Sequence, residues 1–463
     1  MRKLLFGIAA ILTLVLVTSA AWGACHVITP NGSGTKSGSD WNNACSWFSG
    51  NCSMSSGAVR GDTYYIAKGA YSGTTLGKAN SGTLSITIKS PTAADHCTDT
   101  GFVQGTHVGQ ADIAGGFFIT SDRWVVDGQY GTEVPETGKG TYGIKVHWNG
   151  GNGSHRFNLN TGGSNSTFRY VETQGSNAAD TGCDEAVKIL GFNVSGGITD
   201  VLVEHFYDYR SNTIANPQVA DGFILQNSIS AENYSTGGCH GENVAINSSN
   251  VIIRYNRFIN CAGTACIANP SPSGSSFSNW DIYGNVFYDD ATRSGSCPGN
   301  FSCVGNGIIA CIDQGRPSGV RLYNNVVANW LPGHAAGNSL DFWSTASCGS
   351  VSGLDIQNNV LYNNEPVNID ASGTCKSNSY YKTTRNSGGC TGDVTGLTSN
   401  PFVNPGNTPQ DWHLTADTDT WSVLLSPYNL DIDGLTRISS RGAYQFGNLN
   451  LPGPPSGLTA QVK

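Results

Sequence analysis

Residues 242–260, ENVAINSSNVIIRYNRFIN, alternate apolar and polar positions in two short runs joined by a polar corner. Val244 and Ile246 mark the first run, and Val251, Ile253, Asn256 and Phe258 mark the second. Period-two alternation of this length predicts half-buried strands. The second run returns with the same internal spacing at Trp280, Ile282, Asn285 and Phe287, at Val320, Leu322, Asn325 and Val327, and at Leu354, Ile356, Asn359 and Leu361. The companion first-strand series reads Ile144/Val146, Val187/Ile189, Ile214, Val244/Ile246, Ile267, Ile308/Ala310, Leu340/Phe342 and Val367/Ile369. Successive second strands from Val201 begin 22, 28, 29, 40 and 34 residues apart. Such periods with strand-type alternation predict an all-β solenoid, a parallel β-helix with one rung per repeat. A single rung cannot bury its apolar face, whereas rungs stacked about 4.8 Å apart form one continuous core. Asn256, Asn285, Asn325 and Asn359 would then lie above one another as a hydrogen-bonded ladder in a left-handed corner, with a structural role only.

The ends of the chain depart from this pattern. Arg2 and Lys3, the apolar run Leu4–Val17 and the small residues up to Gly23 have the order of a secretory signal peptide, placing the leader at 1–23. No later apolar run approaches the roughly 18 residues of a membrane span. In SDWNNACSWF (39–48), Asp40 reads as an N-cap and Trp41, Ala44, Cys45 and Phe48 fall at helical spacing. A short N-terminal capping helix there would cover the open end of the coil. The coil itself is assigned to 24–447. The tail 448–463 carries Pro452, Pro454 and Pro455 as an extended linker, and its PPSGLTAQV resembles the first strand of a fibronectin type III domain.

Composition narrows the function classes. The formal net charge is −8, and it becomes −10 once Arg2 and Lys3 leave with the leader. So acidic a chain lacks the basic stripe that nucleic acid requires. Sixty glycines suit a turn-rich β protein, and fourteen cysteines in an exported chain predict disulfides rather than metal sites. Cys261/Cys266 and Cys297/Cys303 are close enough to clip local loops.

GDTYYIAKGAY (61–71), the Asn-marked repeats, DWHLTAD (411–417) and SPYNLDIDGLTRISSRGAYQF (426–446) together resemble the secreted right-handed parallel β-helix proteins of the pectate-lyase-like superfamily. Asp431, Asp433, Gly434, Arg437, Gly442, Ala443 and Tyr444 match the closing DxDG…R…GAY form of many members. The resemblance implies a right-handed coil and an extracellular or cell-surface setting. It does not imply one activity, because lyases, hydrolases, epimerases and adhesins share the coil. Arg316-Pro317-Ser318-Gly319-Val320-Arg321 is similar to an Arg-Pro strand of pectate lyases, and equally to an ordinary turn.

Candidate chemistry gathers where the first strands begin. Two residues before each first apolar position stand Tyr142, Glu185, Asn212, Glu242, Ala265, Asn306, Asn338 and Glu365. With Asn212 between them, Glu185 and Glu242 lie two rungs, about 9.6 Å, apart, so their carboxyls could enter the roughly 6.5–9.5 Å range of inverting glycoside hydrolysis. Elimination from a uronate needs instead a base and a cation, for which Lys188, Arg254 and His240 are at hand, while carboxylates such as Asp184 could hold Ca²⁺. Trp330 and Trp343 flank the 328–343 loop as candidate sugar platforms. Two readings therefore stay open: an exported protein that binds and cleaves extracellular polysaccharide or a cell-surface glycan, through Glu185, His240, Glu242 and Lys188 with Asp184, Arg254, Trp330 and Trp343 binding ligand, or a non-catalytic adhesive or structural coil whose acids only cap corners. Oligomeric state leaves no mark on the sequence.

Overall fold

The computed structural model describes residues 23–131, 142–147, 155–175, 184–193, 195–233, 241–261, 263, 265–269, 276–290, 307–311, 316–331, 340–344, 351–369, 373–387, 390–406, 410–418, 425–438 and 440–446. The leader up to residue 22, the tail 448–463, His240, Asn306, Asn338, Cys297 and Cys303 lie outside the described residues.

Among the described residues, thirty-two strands form one sheet whose pairings are parallel throughout, each strand joined to the one a full turn later. Parallel strands linked by such crossovers wind in the right-handed sense. The chain is a right-handed parallel β-helix.

Each turn carries three strands rather than two. The first ladder stacks Val251–Arg254 on Ser276–Tyr283, Arg316–Tyr323 and Asp355–Gln357. The second stacks Arg257–Ile259 on Val286–Tyr288, Val326–Ala328 and Val360–Tyr362. The third stacks Val244–Ala245 on Ile267–Ala268, Ile309–Ala310, Leu340–Ser344 and Val367–Ile369. The predicted long strand is thus two strands folded at the asparagine corner. The residue before each asparagine supplies the left-handed backbone: Tyr255 at φ 58°, Gly284 at 66°, Asn324 at 54° and Asn358 at 55°.

The ladder itself is present and longer than predicted. Asn256 Nδ2 donates to Asn285 Oδ1 (3.0 Å), Asn285 to Asn325 (3.1 Å), Asn325 to Asn359 (3.1 Å), Asn359 to Asn378 (2.9 Å) and Asn378 to Asp393 (3.2 Å). Each oxygen also receives the backbone N–H of the preceding rung, as Asn325 Oδ1 does from Asn285 at 3.1 Å. The core fills the coil with in-register apolar residues, including Ile253, Ile282, Leu322 and Ile356, all fully buried.

At the N-terminus, Asp40 caps Asn42 and Asn43 (3.0 Å each), as predicted, but the helix is a single 3-10 turn, Trp41–Asn43. A strand, Cys45–Ser46, follows at once and pairs with Cys25–Thr29. Phe48, Cys52, Met54 and Ala58 enter the main core and cover the open end. Disulfides join Cys25 to Cys97, Cys45 to Cys52, Cys261 to Cys266 and Cys375 to Cys390. None of the described cysteines is free, and no helix among the described residues is long and apolar enough to cross a membrane.

The C-terminal segment folds back along the coil. The antiparallel pair Phe402–Asn404 and Asp411–Leu414 brings Phe402, Trp412 and Leu414 onto the outward Val286, Val326 and Val360 of the second ladder. The DxDG element is internally tied: Asp431 accepts from the N–H groups of Asp433, Leu435 and Gln445 at 2.7–3.0 Å, and Arg437 donates to the carbonyls of Leu430 and Ala443. Gly442, at φ 84°, donates to Asn358 O (2.9 Å), and any Cβ there would come within 3.0 Å of Val360. That approach accounts for the glycine of the GAY motif.

Candidate functional site

The third ladder carries the side chains singled out in the sequence, though in a different alignment. Strand Glu185–Leu190 pairs with His155–Leu159 below and Thr213–Gln218 above, so His155, Glu185 and Thr213 share one register line. Ile144–His147, expected to be the third-ladder member of this turn, belongs to the second ladder, against Val171–Gln174. Tyr142 therefore drops from the column and His155 takes its place. Ala215, not Ile214, aligns with Val187 and Val244, because 214 and 215 are both buried and parity alone cannot separate them. Glu242, two residues before Val244, still continues the line two rungs from Glu185.

Around Glu185 three side chains converge. Lys188 Nζ lies 3.0 Å from Oε2 and donates to Oε1 at 3.2 Å, and Asn216 Nδ2 donates to Oε1 at 2.6 Å. His155 Nδ1 approaches Oε2 to 3.3 Å without hydrogen-bond alignment. Glu185 is 4 % exposed. Burial pushes its carboxyl above the usual range, against the pull of Lys188 and Asn216. Burial, with the nearby cations Lys188 and Arg156, holds His155 down to about 3. That imidazole is neutral at physiological pH, and its approach to Glu185 is a polar contact rather than an ion pair. Lys188 keeps partial contact with solvent, as does His155. A carboxyl of raised pKa beside a lysine can accept a proton and stabilise a neighbouring anion.

The remaining predicted residues disperse. Asp184 is buried in the coil, where Arg156 (3.1 Å) and the N–H of Asn212 (2.8 Å) hold it. It meets no ligand-accessible surface, and it belongs to a polar network continuing through Ser211 to Asp208, whose carboxyl burial pushes up to about 6. Glu242 is buried on the Glu185 line. Arg254 stands on the first ladder, bonded to Gln226 (2.8 Å) and the Tyr283 hydroxyl (2.9 Å), apart from the Glu185 corner. Trp330 and Trp343 are both core residues, 1 % and 0 % exposed, and offer no open ring to a sugar. Trp280 is in the core as its parity predicted. Calcium does not fit the Glu185 corner, since Lys188 and Asn216 already engage the carboxylate, and the described residues gather no cluster of metal-ligating side chains.

Sequence reasoning missed His155, Asn216 and Arg156. The alternating HRFNL of 155–159 is the available signal for His155, but the equally regular Ile144/Val146 pair competes for that rung.

No protein-family model and no curated protein matches the chain. Among solved structures it is similar to pectate lyase Pel9A, at 14% identity over 95% of this chain and 94% of that one, with a TM-score of 0.33. It is also similar to the PL6 family alginate lyase AlyGC, at 12% identity over 89% of this chain, with a TM-score of 0.36. The chain spans 58% of that enzyme's length. At such values the parallel coil rests on this chain's own three ladders.

Proposed function

We propose that the chain is an exported polysaccharide-binding β-helix that cleaves an acidic polysaccharide by β-elimination on its third ladder. The observation that carries this reading is the meeting of Lys188, Asn216 and His155 around Glu185 on neighbouring strands of the third ladder. In this scheme Lys188 meets the uronate carboxylate and stabilises the charge that develops when the α proton leaves. Glu185, whose pKa burial raises toward the range of a general base, takes that proton. The C–O bond to the neighbouring sugar breaks, a C=C bond forms, and the released oxygen is protonated to an alcohol. Asn216 orients Glu185. Glu242, two rungs along the same line, and His240, two residues before it in the sequence, are further candidates for the proton transfers, testable by Glu242→Gln and His240→Ala. The disulfides agree with an extracellular setting.

The second reading, a non-catalytic adhesive coil, is favoured by the burial of both acids. Purified protein screened against acidic and neutral polysaccharides, with ultraviolet detection of unsaturated ends and a parallel reducing-end assay, separates the two. Elimination predicts ultraviolet-absorbing products that fall at least a hundredfold in Lys188→Met and Glu185→Gln. Reducing ends without absorbance would mean hydrolysis, and neither product from any substrate would leave the adhesive reading.

A further inference from the structure

The line of residues that carries Lys188 on the outer face of the third ladder continues toward the N-terminal rungs. Asn158 lies one rung below Lys188, Phe118 one rung below Asn158, and Thr75 one rung below Phe118, each a direct partner in the parallel register. Phe118 is thus two rungs, about 9.6 Å, from Lys188. In the other direction Asn216 pairs with Lys188, and the line goes on through Ala245, Ala268 and Ala310.

The two directions differ in access. Asn216 is buried and none of the three alanines is more than 3 % exposed, so the line closes just past Lys188. Below Lys188 it stays open: Asn158 and Thr75 are half-buried, and Phe118 is 39 % exposed. A polymer that lies along the coil and presents one sugar to Lys188 therefore extends over Asn158 and Phe118. A linear 1,4-linked pyranose chain advances by about one rung spacing per ring, which places its third sugar at Phe118.

Phe118 is the exception on this line. Its register partners are Thr75 and Asn158, and its neighbours on the same side of its own strand are Gly116 and Thr120, so no large apolar side chain among them shields the ring. Phe117 and Ile119 on either side already fill the core and fix the strand's orientation. Packing of the coil thus leaves position 118 free to be polar, like its counterparts on neighbouring rungs. An open aromatic face receives the C–H face of a pyranose ring. None of Thr75, Phe118, Thr120 and Asn158 carries a charge, so no carboxylate on this stretch repels an anionic chain.

We propose that Phe118 is the platform for the third sugar of an acidic polysaccharide lying along the third ladder, an inference that rests on the uronate chemistry proposed at Lys188. In the full chain, Glu185→Gln keeps the polymer uncleaved, and calorimetry with polygalacturonate, alginate and polyglucuronate, and with their oligomers of two to six sugars, reads binding directly. At least one polymer binds, and its trimer binds more tightly than its dimer. Phe118→Ala and Phe118→Leu each weaken binding by about fivefold or more, the scale of an aromatic stacking contact, while Phe118→Trp preserves it and near-ultraviolet circular dichroism stays native in all three. With Glu185 intact, Phe118→Ala raises KM and leaves kcat unchanged. The proposal is overturned if no polymer binds, if the dimer binds as tightly as the trimer, or if Phe118→Leu binds as well as Phe118→Trp. Binding that depends on Phe118 without unsaturated products from wild type would sink elimination at Lys188 and leave the platform standing, whereas unsaturated products with an unchanged KM in Phe118→Ala would do the reverse.

Discussion

A carboxylate withdrawn from water acts only through the few groups left beside it, and for Glu185 these are Lys188, Asn216 and His155. Burial raises its pKa, so the base form that elimination requires is depleted at a higher pH than for an ordinary glutamate near 4.3. The acid limb of kcat/KM is therefore expected above the usual carboxylate range, and Asn216→Ala, which removes one hydrogen bond that favours the charged form, should shift it further upward. A limb at the ordinary glutamate position in both proteins would rule out Glu185 as the base. At this scale the sequence was partly legible. Glu185 and Lys188 stand three apart at a strand start, and Glu185 and Glu242 could be placed in line. Trp330 and Trp343 could not, because an aromatic beside a long loop looks the same whether its ring packs inward or stands open. Asp184 was misread for a related reason: its buried partner Arg156 lies on another rung, 28 positions back in the chain.

The element that repeats most faithfully, the asparagine corner, was the easiest to read and carries the clearest stability prediction. Asn325 is fully buried, donates to Asn359 Oδ1 and to the Ile282 carbonyl, and accepts from the N–H groups of Asn285. Asn325→Ala leaves several of these partners unsatisfied and should cost about 3 kcal/mol, read as a lower denaturant midpoint at unchanged slope. Asn325→Asp should be no better, because a carboxylate in mid-ladder faces the acceptor of Asn359. Asp393 is tolerated at the end of the ladder, where it only accepts, from Asn378 and from Arg385. A loss under 1 kcal/mol for both variants would mean that the ladder follows the coil rather than holding it. The number of strands per turn was harder to read, since a bend made by one left-handed residue leaves the apolar alternation on either side looking like one continuous strand. The capping helix is shorter than its spacing suggests: after Trp41–Asn43 the chain extends, Cys45–Ser46 pairs with the first strand, and Cys45 is bonded to Cys52.

For the whole molecule, the coil must be closed along its flank, and the C-terminal segment does this with a charged clamp the sequence did not announce. His413 bridges Asp411 (2.5 Å) and Asp433 (2.9 Å), joining the antiparallel pair to the DxDG element. Burial opposes its protonation, but the hydrogen bonds to Asp433 and Asp411 outweigh it and push His413 up to about 9. A histidine raised in the folded state stabilises fully below its unfolded pKa of about 6.5, and that contribution is lost as pH climbs through about 9. Wild type minus His413→Gln, compared by thermal melts from pH 5.5 to pH 10, should therefore show a large stability difference at the acid end that shrinks through this window. The difference should persist at pH 6 in moderate salt, because a half-buried pair is screened less than a surface one. A difference that is flat with pH, or that grows toward pH 10, would mean the clamp holds by packing against Tyr444, 4.5 Å away, and not by charge.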